Sequence, residues 1–246
     1  MKIIAIYSSK GGVGKTAAAV NLAYGSSRSG KRTLLCDMDP QGAAGFYYRI
    51  SPKESFNRKQ FLKGDLAPFI RGTDFENLDL LPTHFSFRNL DIALDGRGGA
   101  TNELKKVFAC VKDEYEVLIL DCPPNMTLLS ENIIMAADLV VTPVIPTTLS
   151  ILSFAQLVKL AEKLEVNRKK LAAFFSMVDR RKNMHIDTIA KFGKKKMFLA
   201  SEIPYLADVE KMGIHRQPVA VSAPSSSAAL AYEQLWQEVW RRGVQL

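Results

Sequence analysis

The chain has 246 residues, of which 47% are hydrophobic and 24% are charged, and its formal net charge is +8. This composition is too apolar for an intrinsically disordered chain, and three cysteines are too few for a disulfide scaffold. Because no apolar run reaches the ~18 to 20 residues of a membrane span and no signal-peptide pattern is present, we expect one cytoplasmic domain over residues 1–246 with reduced thiols.

Short apolar runs alternate with helix-length segments along the chain. Nearly every position in these runs is apolar, which indicates strands covered on both faces, and strands separated by helices are typical of parallel crossovers. The predicted strands are 2–7, 33–36, 78–81, 117–120, 139–144 and 172–178. The predicted helices are 15–28, 102–112, 127–137, 149–164, 184–194, 208–212 and 228–242. We therefore predict an α/β fold with a doubly wound, mostly parallel sheet flanked by helices.

We assign no chemical role to three features of the sequence. Residues 49–63 are polar, basic and weakly periodic, so we expect an exposed excursion there. Cys36, Cys110 and Cys122 are single and far apart in the sequence, and we interpret them as small buried hydrophobes. The three histidines are also widely separated and show no spacing typical of metal ligands.

A glycine-rich turn, SSKGGVGKT at residues 8–16, follows the first predicted strand and opens the first predicted helix. Its glycines allow the backbone to approach a polyphosphate and to turn successive N–H groups toward it, and the helix dipole adds to the attraction. We expect Lys15 to reach the phosphates and the Thr16 hydroxyl to ligate Mg²⁺. The common pattern G-x-x-x-x-G-K-[ST] requires glycine at position 9, where this chain has Ser9, so the strict match fails by one residue.

The sequence KGGVGKT at residues 10–16 resembles the deviant Walker A motif of the ParA/MinD group of P-loop ATPases. DMDPQG at residues 37–42 resembles the first switch of that family, and LILDCPPN at residues 118–125 resembles its Walker B strand and second switch. The segment from residue 202 to the last predicted helix is similar to the C-terminal pattern of ParA proteins. The resemblance covers nearly the whole chain and implies a P-loop NTPase fold of the deviant Walker A type.

The resemblance implies roles for individual residues. It assigns catalytic roles to Lys10, Lys15 and Asp39: Lys10 reaches the nucleotide of a second subunit, and Asp39 positions the attacking water. The implied ATP-binding residues are Lys10, Gly11, Gly12, Val13, Gly14, Lys15, Thr16 and Ala17, with Met177 and Pro204 near the base. The implied Mg²⁺ site is formed by Thr16, Asp37, Asp39 and Asp121. Asp121 ends a predicted buried strand, where a parallel sheet presents its ligands.

The positive charge is concentrated in residues 168–196, where ten basic residues face two acidic ones. Such a run is either a solvated face or a binding surface for a polyanion such as DNA. The candidate DNA-binding residues are Arg180, Arg181, Lys182, Lys194, Lys195, Lys196 and Arg216. Many ParA proteins have arginine after an Ile-Pro dipeptide, where this chain has Tyr205, so nearby basic residues would have to replace that contact.

The resemblance implies a ParA-type ATPase that forms an ATP-dependent homodimer and binds double-stranded DNA without sequence preference. Its hydrolysis would be slow alone and stimulated by a cargo-bound partner, ParB-like or an adaptor, so that a plasmid, chromosome origin or protein organelle is positioned on the nucleoid. One alternative is a MinD-like membrane ATPase anchored by an amphipathic helix over residues 228–240, although the family's last docked helix already occupies that segment. A second alternative is a P-loop biosynthetic ligase.

Overall fold

The computed structural model describes residues 1–96 and 101–245, which contain eight strands and twelve α-helices. The strands are β1 (Lys2–Ile6), β2 (Thr33–Asp37), β3 (Arg71–Gly72), β4 (Leu78–Leu81), β5 (Val117–Asp121), β6 (Leu139–Val144), β7 (Leu171–Val178) and β8 (Phe198–Pro204). The helices are α1 (Lys15–Arg28), α2 (Ala43–Tyr47), α3 (Arg58–Lys63), α4 (Leu90–Asp95), α5 (Glu103–Val107), α6 (Leu128–Ala136), α7 (Thr148–Lys163), α8 (Asn183–Phe192), α9 (Ala207–Glu210), α10 (Met212–His215), α11 (Val219–Ser222) and α12 (Ser227–Val244).

The strands form one sheet in the order β3-β4-β2-β5-β1-β6-β7-β8, and every neighbouring pair is parallel except β3 and β4. β1 lies between β5 and β6, and its last residue, Ile6, is aligned with Asp121. Asp37 at the end of β2 is aligned with Asp121 from the other side. The loops after β1, β2 and β5 therefore emerge side by side, at what we call the carboxyl edge of the sheet.

Two hydrophobic cores cover the two faces of this sheet. The side chains of Ile4 and Ile6 pack into one core with α1 and α12, whereas Ile3 and Ala5 pack into the other with α4 to α7. Successive side chains of a strand point to opposite faces, so a strand with a core on each side has to be apolar throughout. This arrangement confirms the predicted doubly wound α/β sheet.

The structure adds strands that the sequence pattern did not predict. β3 has only two residues, and β8 interrupts its apolar pattern at Ser201 and Glu202. The pairing of β8 with β7 also shifts register between Ala173 and Phe175. At this irregularity the carboxylate of Glu238 in α12 accepts hydrogen bonds from the backbone N–H groups of residues 200 and 201, at 3.3 and 2.9 Å. A side chain distant in sequence thus replaces part of the strand pairing.

Some predicted helices are shorter than expected. The predicted helix 102–112 is an α-helix only over α5 and continues as a 3₁₀ helix (Phe108–Val111). The predicted helix 208–212 corresponds to two short helices, α9 and α10. Further short helices, α2, α3, α4 and α11, occupy segments where no helix was predicted, because stretches of four to six residues are too short to show a helical period.

The prediction that residues 49–63 form an exposed excursion is wrong for their second half. Phe56 and Phe61 are fully buried, and Leu62 is nearly so. Phe61 lies against Phe87, with 4.9 Å between ring centroids, and against Phe108 at 5.9 Å. Polar residues around these rings conceal their burial in the sequence. The expectation for the cysteines is also wrong in one case, because Cys110 is exposed while Cys36 and Cys122 are buried.

We predict that Phe61→Ala lowers the free energy of unfolding by about 3–5 kcal/mol, because a fully buried ring is removed and a cavity remains. Urea unfolding followed by circular dichroism measures this loss. Phe85→Ala is the control, since its ring is 63% exposed, and we expect a change below about 1 kcal/mol. Equal losses in both variants would contradict the assignment of residue 61 to the core.

Candidate phosphate and metal site

The loop between β1 and α1 has the backbone shape of a phosphate cradle. Gly12 and Gly14 adopt left-handed φ values of +68° and +91°, which glycine tolerates at low cost. A Cβ atom at Gly14 would lie 3.1 Å from the Ser176 Oγ atom, so the loop is pressed against β7 there. At Gly11 and Gly12 a Cβ atom would meet nothing within 4 Å, so this side of the loop is open.

The two lysines of the loop have different surroundings. Lys15 is buried, its Nζ atom donates a hydrogen bond to the Lys10 carbonyl oxygen at 3.2 Å, and its charge acts on Asp121. Burial lowers the pKa of Lys15, and attraction from Asp121 and Asp39 opposes that shift. The Lys10 Nζ atom instead donates to the Oγ atom of Ser150 in α7, at 3.0 Å. We call Asp37, Asp39 and Asp121 the acidic cluster. Lys15 is therefore the loop lysine that lies in this cluster.

Asp121 is a fully buried carboxylate whose two oxygens have no hydrogen-bond partner among the described residues. Its pKa is raised to about 7, mainly by burial and also by the charge of Asp39, and the nearby Thr16 hydroxyl and Lys15 ammonium group oppose the rise. An unpartnered buried carboxylate is costly. Its oxygens are therefore available to a cation or to water at the end of β5.

Asp37 is also buried, but its oxygens are occupied. One oxygen accepts a hydrogen bond from the Asp39 N–H group, and the other accepts from the N–H groups of Ala44 and Gly45 at the start of α2. Burial and the neighbouring charge of Asp121 raise the pKa of Asp37 well above its usual range. Asp37 therefore holds the backbone of the segment that contains Asp39. The Oδ1 atom of Asp39 accepts a hydrogen bond from the Gln41 N–H group.

The donor set fits Mg²⁺. Among residues 1–96 and 101–245, no group of three or more His, Cys, Asp or Glu side chains could hold a metal ion by itself. Mg²⁺ is commonly bound through one or two carboxylates, phosphate oxygens and water, and it does not need an all-protein cage. The unpartnered oxygens of Asp121, with the Thr16 hydroxyl nearby, offer that kind of partial shell beside the phosphate cradle.

The two residues expected near the adenine lie at the ends of neighbouring strands. The Met177 Cε atom is 3.7 Å from the position that a Cβ atom of Gly14 would take. Met177 has a left-handed φ of +54°, a backbone conformation that is strained for residues other than glycine. Pro204 ends β8 and is aligned with Val178, next to Met177. Both residues therefore lie at the carboxyl edge, and the structure brings Met177 against the phosphate loop.

The candidate DNA-binding residues lie at two different ends of the sheet. Residues 180–182 follow β7 and Arg216 follows β8, so both are at the carboxyl edge. Residues 194–196 come after α8 has returned across the sheet, and they precede β8 at the opposite end, which we call the amino edge. The cluster in the sequence is therefore not a single patch. Arg242 in α12 donates to the Lys196 carbonyl oxygen at 2.8 Å, which fixes that end of the segment.

Acidic partners hold the basic residues at the carboxyl edge. Arg181 forms two hydrogen bonds with the Asp179 carboxylate at 2.9 and 3.0 Å, and this pairing lowers the pKa of Asp179 to about 2. The Arg180 guanidinium is 2.6 Å from Glu202 in β8. Arg216 donates to the Phe46 carbonyl oxygen and lies over the Phe46 ring. These contacts position the cations and neutralise part of their charge.

Sequence reasoning missed the residues of α7 that hold the loop. Ser150 receives Lys10, and the hydroxyls of Ser153 and Ser9 share a hydrogen bond at 2.7 Å. Serines are common, and these contacts join residues more than 130 positions apart, so no local signal marks them. These serines lie near the loop because α7 follows β6, and β6 pairs with β1.

Known proteins resemble this chain over most or all of its length. A family model described as an AAA domain matches residues 1–173. The chain is 33% identical over 255 residues to the sporulation initiation inhibitor protein Soj of Bacillus subtilis, and the match covers 98% of this chain and 99% of that protein.

Solved structures share the fold over nearly the whole chain. The cell division ATPase MinD of Pyrococcus furiosus superimposes with a TM-score of 0.79 at 19% identity, covering 98% of each chain. Cobyrinic acid a,c-diamide synthase of Mycobacterium smegmatis with bound ADP and magnesium gives a TM-score of 0.81 at 25% identity, covering 98% of this chain and 94% of that chain. Together with the family match and the Soj relative, they show that the chain belongs to the ParA/MinD family of P-loop ATPases.

Proposed function

We propose that this protein is a ParA-type positioning ATPase. It binds ATP and Mg²⁺, forms a dimer in which Lys10 of each subunit contacts the nucleotide of the other, and in that state binds DNA without sequence preference. Partner-stimulated hydrolysis ends the DNA-bound state and so positions a cargo on the nucleoid. The observation that carries the proposal is that Lys15 alone of the two loop lysines joins the acidic cluster, so Lys10 is free to serve a second site.

The surroundings of Lys10 support the dimer. Within residues 1–96 and 101–245 its Nζ atom donates to a neutral hydroxyl, that of Ser150, and forms no ion pair that would have to be broken when it moves. On the same helix Leu149 and Leu152 are 68% and 54% exposed. Exposed apolar side chains beside a phosphate loop are suited to a contact that excludes water. A second copy docked on this face would cover them and bring Lys10 to its nucleotide.

The acidic cluster supports hydrolysis within that dimer. Thr16 and Asp121 would hold Mg²⁺, which neutralises charge on the phosphates, while Lys15 contacts the phosphates from its own subunit. In the part of the chain that the structure describes, Asp39 accepts a hydrogen bond through one of its carboxylate oxygens, so the other is available to orient a water. Asp37 keeps Asp39 in place by accepting its N–H group.

The MinD-like alternative has less support. The segment expected to act as an anchor is α12, and its apolar residues Leu235, Trp236 and Val239 are buried against the sheet and α1. Among the described residues no helix has the length and apolarity to cross a bilayer. The ligase alternative rests on fold alone, because a biosynthetic synthase shares this architecture. ADP release that depends on a metabolite and not on DNA would favour the ligase.

We predict that Lys10→Ala retains ATP binding but loses the ATP-dependent dimer, because the lysine serves the nucleotide of the other subunit. Lys15→Ala should lose nucleotide binding altogether, since it is the lysine inside the cluster. Light scattering with a non-hydrolysable ATP analogue measures dimerisation, and a fluorescent ATP analogue measures binding. If Lys10→Ala dimerises like the unmodified protein, the proposed contact between subunits does not exist.

Asp121→Asn should stabilise the nucleotide-free protein, and more so at higher pH. The folded-state pKa of Asp121 is about 7, above the ordinary value of 3.8, so the folded state binds the proton more tightly. The folded state therefore becomes less stable relative to the unfolded state as the pH rises from about 4 to 7. An amide at this position cannot ionise, so the Asp121→Asn variant does not show this loss. At pH 8 we expect a gain of at least ~1 kcal/mol, which is about 2–4 °C in Tm, and at pH 4.5 a smaller gain.

Thermal unfolding of the nucleotide-free protein at both pH values provides the measurement. Asp113→Asn at an exposed position is the control, with no pH-dependent change expected. The Asp121 variant should also lose Mg²⁺-dependent binding of the ATP analogue. A variant that is less stable than the unmodified protein at pH 8 would show that the buried carboxylate already has its counterion.

The DNA interface is predicted to lie at the carboxyl edge, because only there can basic residues respond to the nucleotide. Replacing residues 180–182 by alanine should reduce the slope of log K against log salt by roughly 0.9 per lost phosphate contact in the ATP-bound state. Replacing residues 194–196 by alanine removes equal charge at the amino edge and serves as the control. If only the control changes the slope, DNA binds at the opposite end of the sheet.

A further inference from the structure

A groove of about 870 Å³ runs between α1 and α12, and the nucleotide site does not use it. Its wall is aromatic: the partly exposed rings of Trp240 and Tyr24 line it, and Trp240 stacks on the buried Trp236 with 5.8 Å between ring centroids. The Trp236 side chain reaches α1 because Gly25 has no side chain, and a Cβ atom at Gly25 would lie 3.2 Å from it. The groove is therefore a consequence of how the last helix docks.

The rim of this groove carries unpaired positive charge. Arg28, Lys31 and Arg241 line it, and none of them forms an ion pair within the part of the chain that the structure describes. The Lys31 ammonium group lies 4.2 Å from the centroid of the Trp240 ring. Glu233 is the one acidic residue among the described lining residues. Apolar rings inside and cations at the rim define a surface that favours an amphipathic anion.

The shape of the groove indicates what kind of anion. It follows α12 from Ala229 to Gln245, which corresponds to ~24 Å at the rise of an α-helix. A compact small molecule would fill only part of that length. A bilayer surface would contact the helix ridges and could not enter a groove between them. A helix lying along the groove matches that length.

We propose that this groove binds an acidic amphipathic helix of a partner protein, with apolar side chains on Trp240 and Tyr24 and carboxylates on Arg28, Lys31 and Arg241. Arg28 ends α1, about 20 Å along the helix from Lys15 at its start. The partner would therefore dock without touching the phosphates. The proposal does not depend on the proposed ATPase cycle, and its test is done without nucleotide.

The chain has two tryptophans, and both line the groove, so intrinsic fluorescence reports on its occupancy directly. The probe is a synthetic helix of about 16 residues with leucines along one face and glutamates beside them. A second peptide has lysines in place of the glutamates. We expect the acidic peptide to shift tryptophan emission saturably and to bind at least tenfold more tightly than the basic peptide. The binding should weaken as salt is added.

Arg28→Glu combined with Arg241→Glu should weaken binding of the acidic peptide at least tenfold. Both side chains are exposed, so the variant should fold normally, which circular dichroism checks. Lys53→Glu combined with Lys59→Glu makes the same charge change outside the groove and should leave the affinity unchanged.

Three results would overturn the proposal. The first is equal affinity for the acidic and basic peptides, and the second is equal weakening by the two double variants. The third is an emission change with phosphatidylglycerol vesicles but not with the acidic peptide, which would make α12 a membrane-binding element.

Discussion

The site depends on the burial of two carboxylates at the ends of adjacent parallel strands. Asp37 and Asp121 are aligned across β2 and β5, and each raises the electrostatic cost of the other. Three backbone N–H groups stabilise Asp37, whereas Lys15 and Thr16 are the groups among the described residues that offset the charge of Asp121. The cluster is therefore electrostatically incomplete in the protein alone. A divalent cation would supply the positive charge that the cluster lacks, and the phosphate loop that would share this cation lies beside the cluster.

The sequence predicted those parts of the site whose residues are consecutive in the chain. Strand, glycine-rich turn and helix follow one another along the chain, so their chemistry is visible in consecutive letters. Asp121 could also be placed, because the last residue of a buried strand has to lie at the carboxyl edge. The contact of Lys10 with Ser150 could not be predicted, since it depends on which strand becomes the neighbour of β1. The same holds for β8, whose irregular pairing is completed by Glu238 in α12.

The basic segment shows why clustering in sequence is a poor guide to clustering in space. A helix that connects two parallel strands carries the chain from one edge of the sheet back to the other. Residues 180–182 and 194–196 lie at the two ends of α8, so they are on opposite edges although only eleven positions separate the groups. Asp179 and Glu202 then neutralise part of the first group. The net charge of the segment therefore overstates what any one surface presents to DNA.

The resting contact of Lys10 also suits the proposed dimer energetically. The hydrogen bond from the Lys10 ammonium group to Ser150 has one charged partner, and such bonds contribute about 1.5–3 kcal/mol. In the proposed dimer the same ammonium group would face a triphosphate in a surface from which water is excluded, where both partners are charged and their attraction is stronger. The additional gain exists only when nucleotide is bound. Dimerisation would follow ATP binding because the stronger acceptor arrives with the nucleotide.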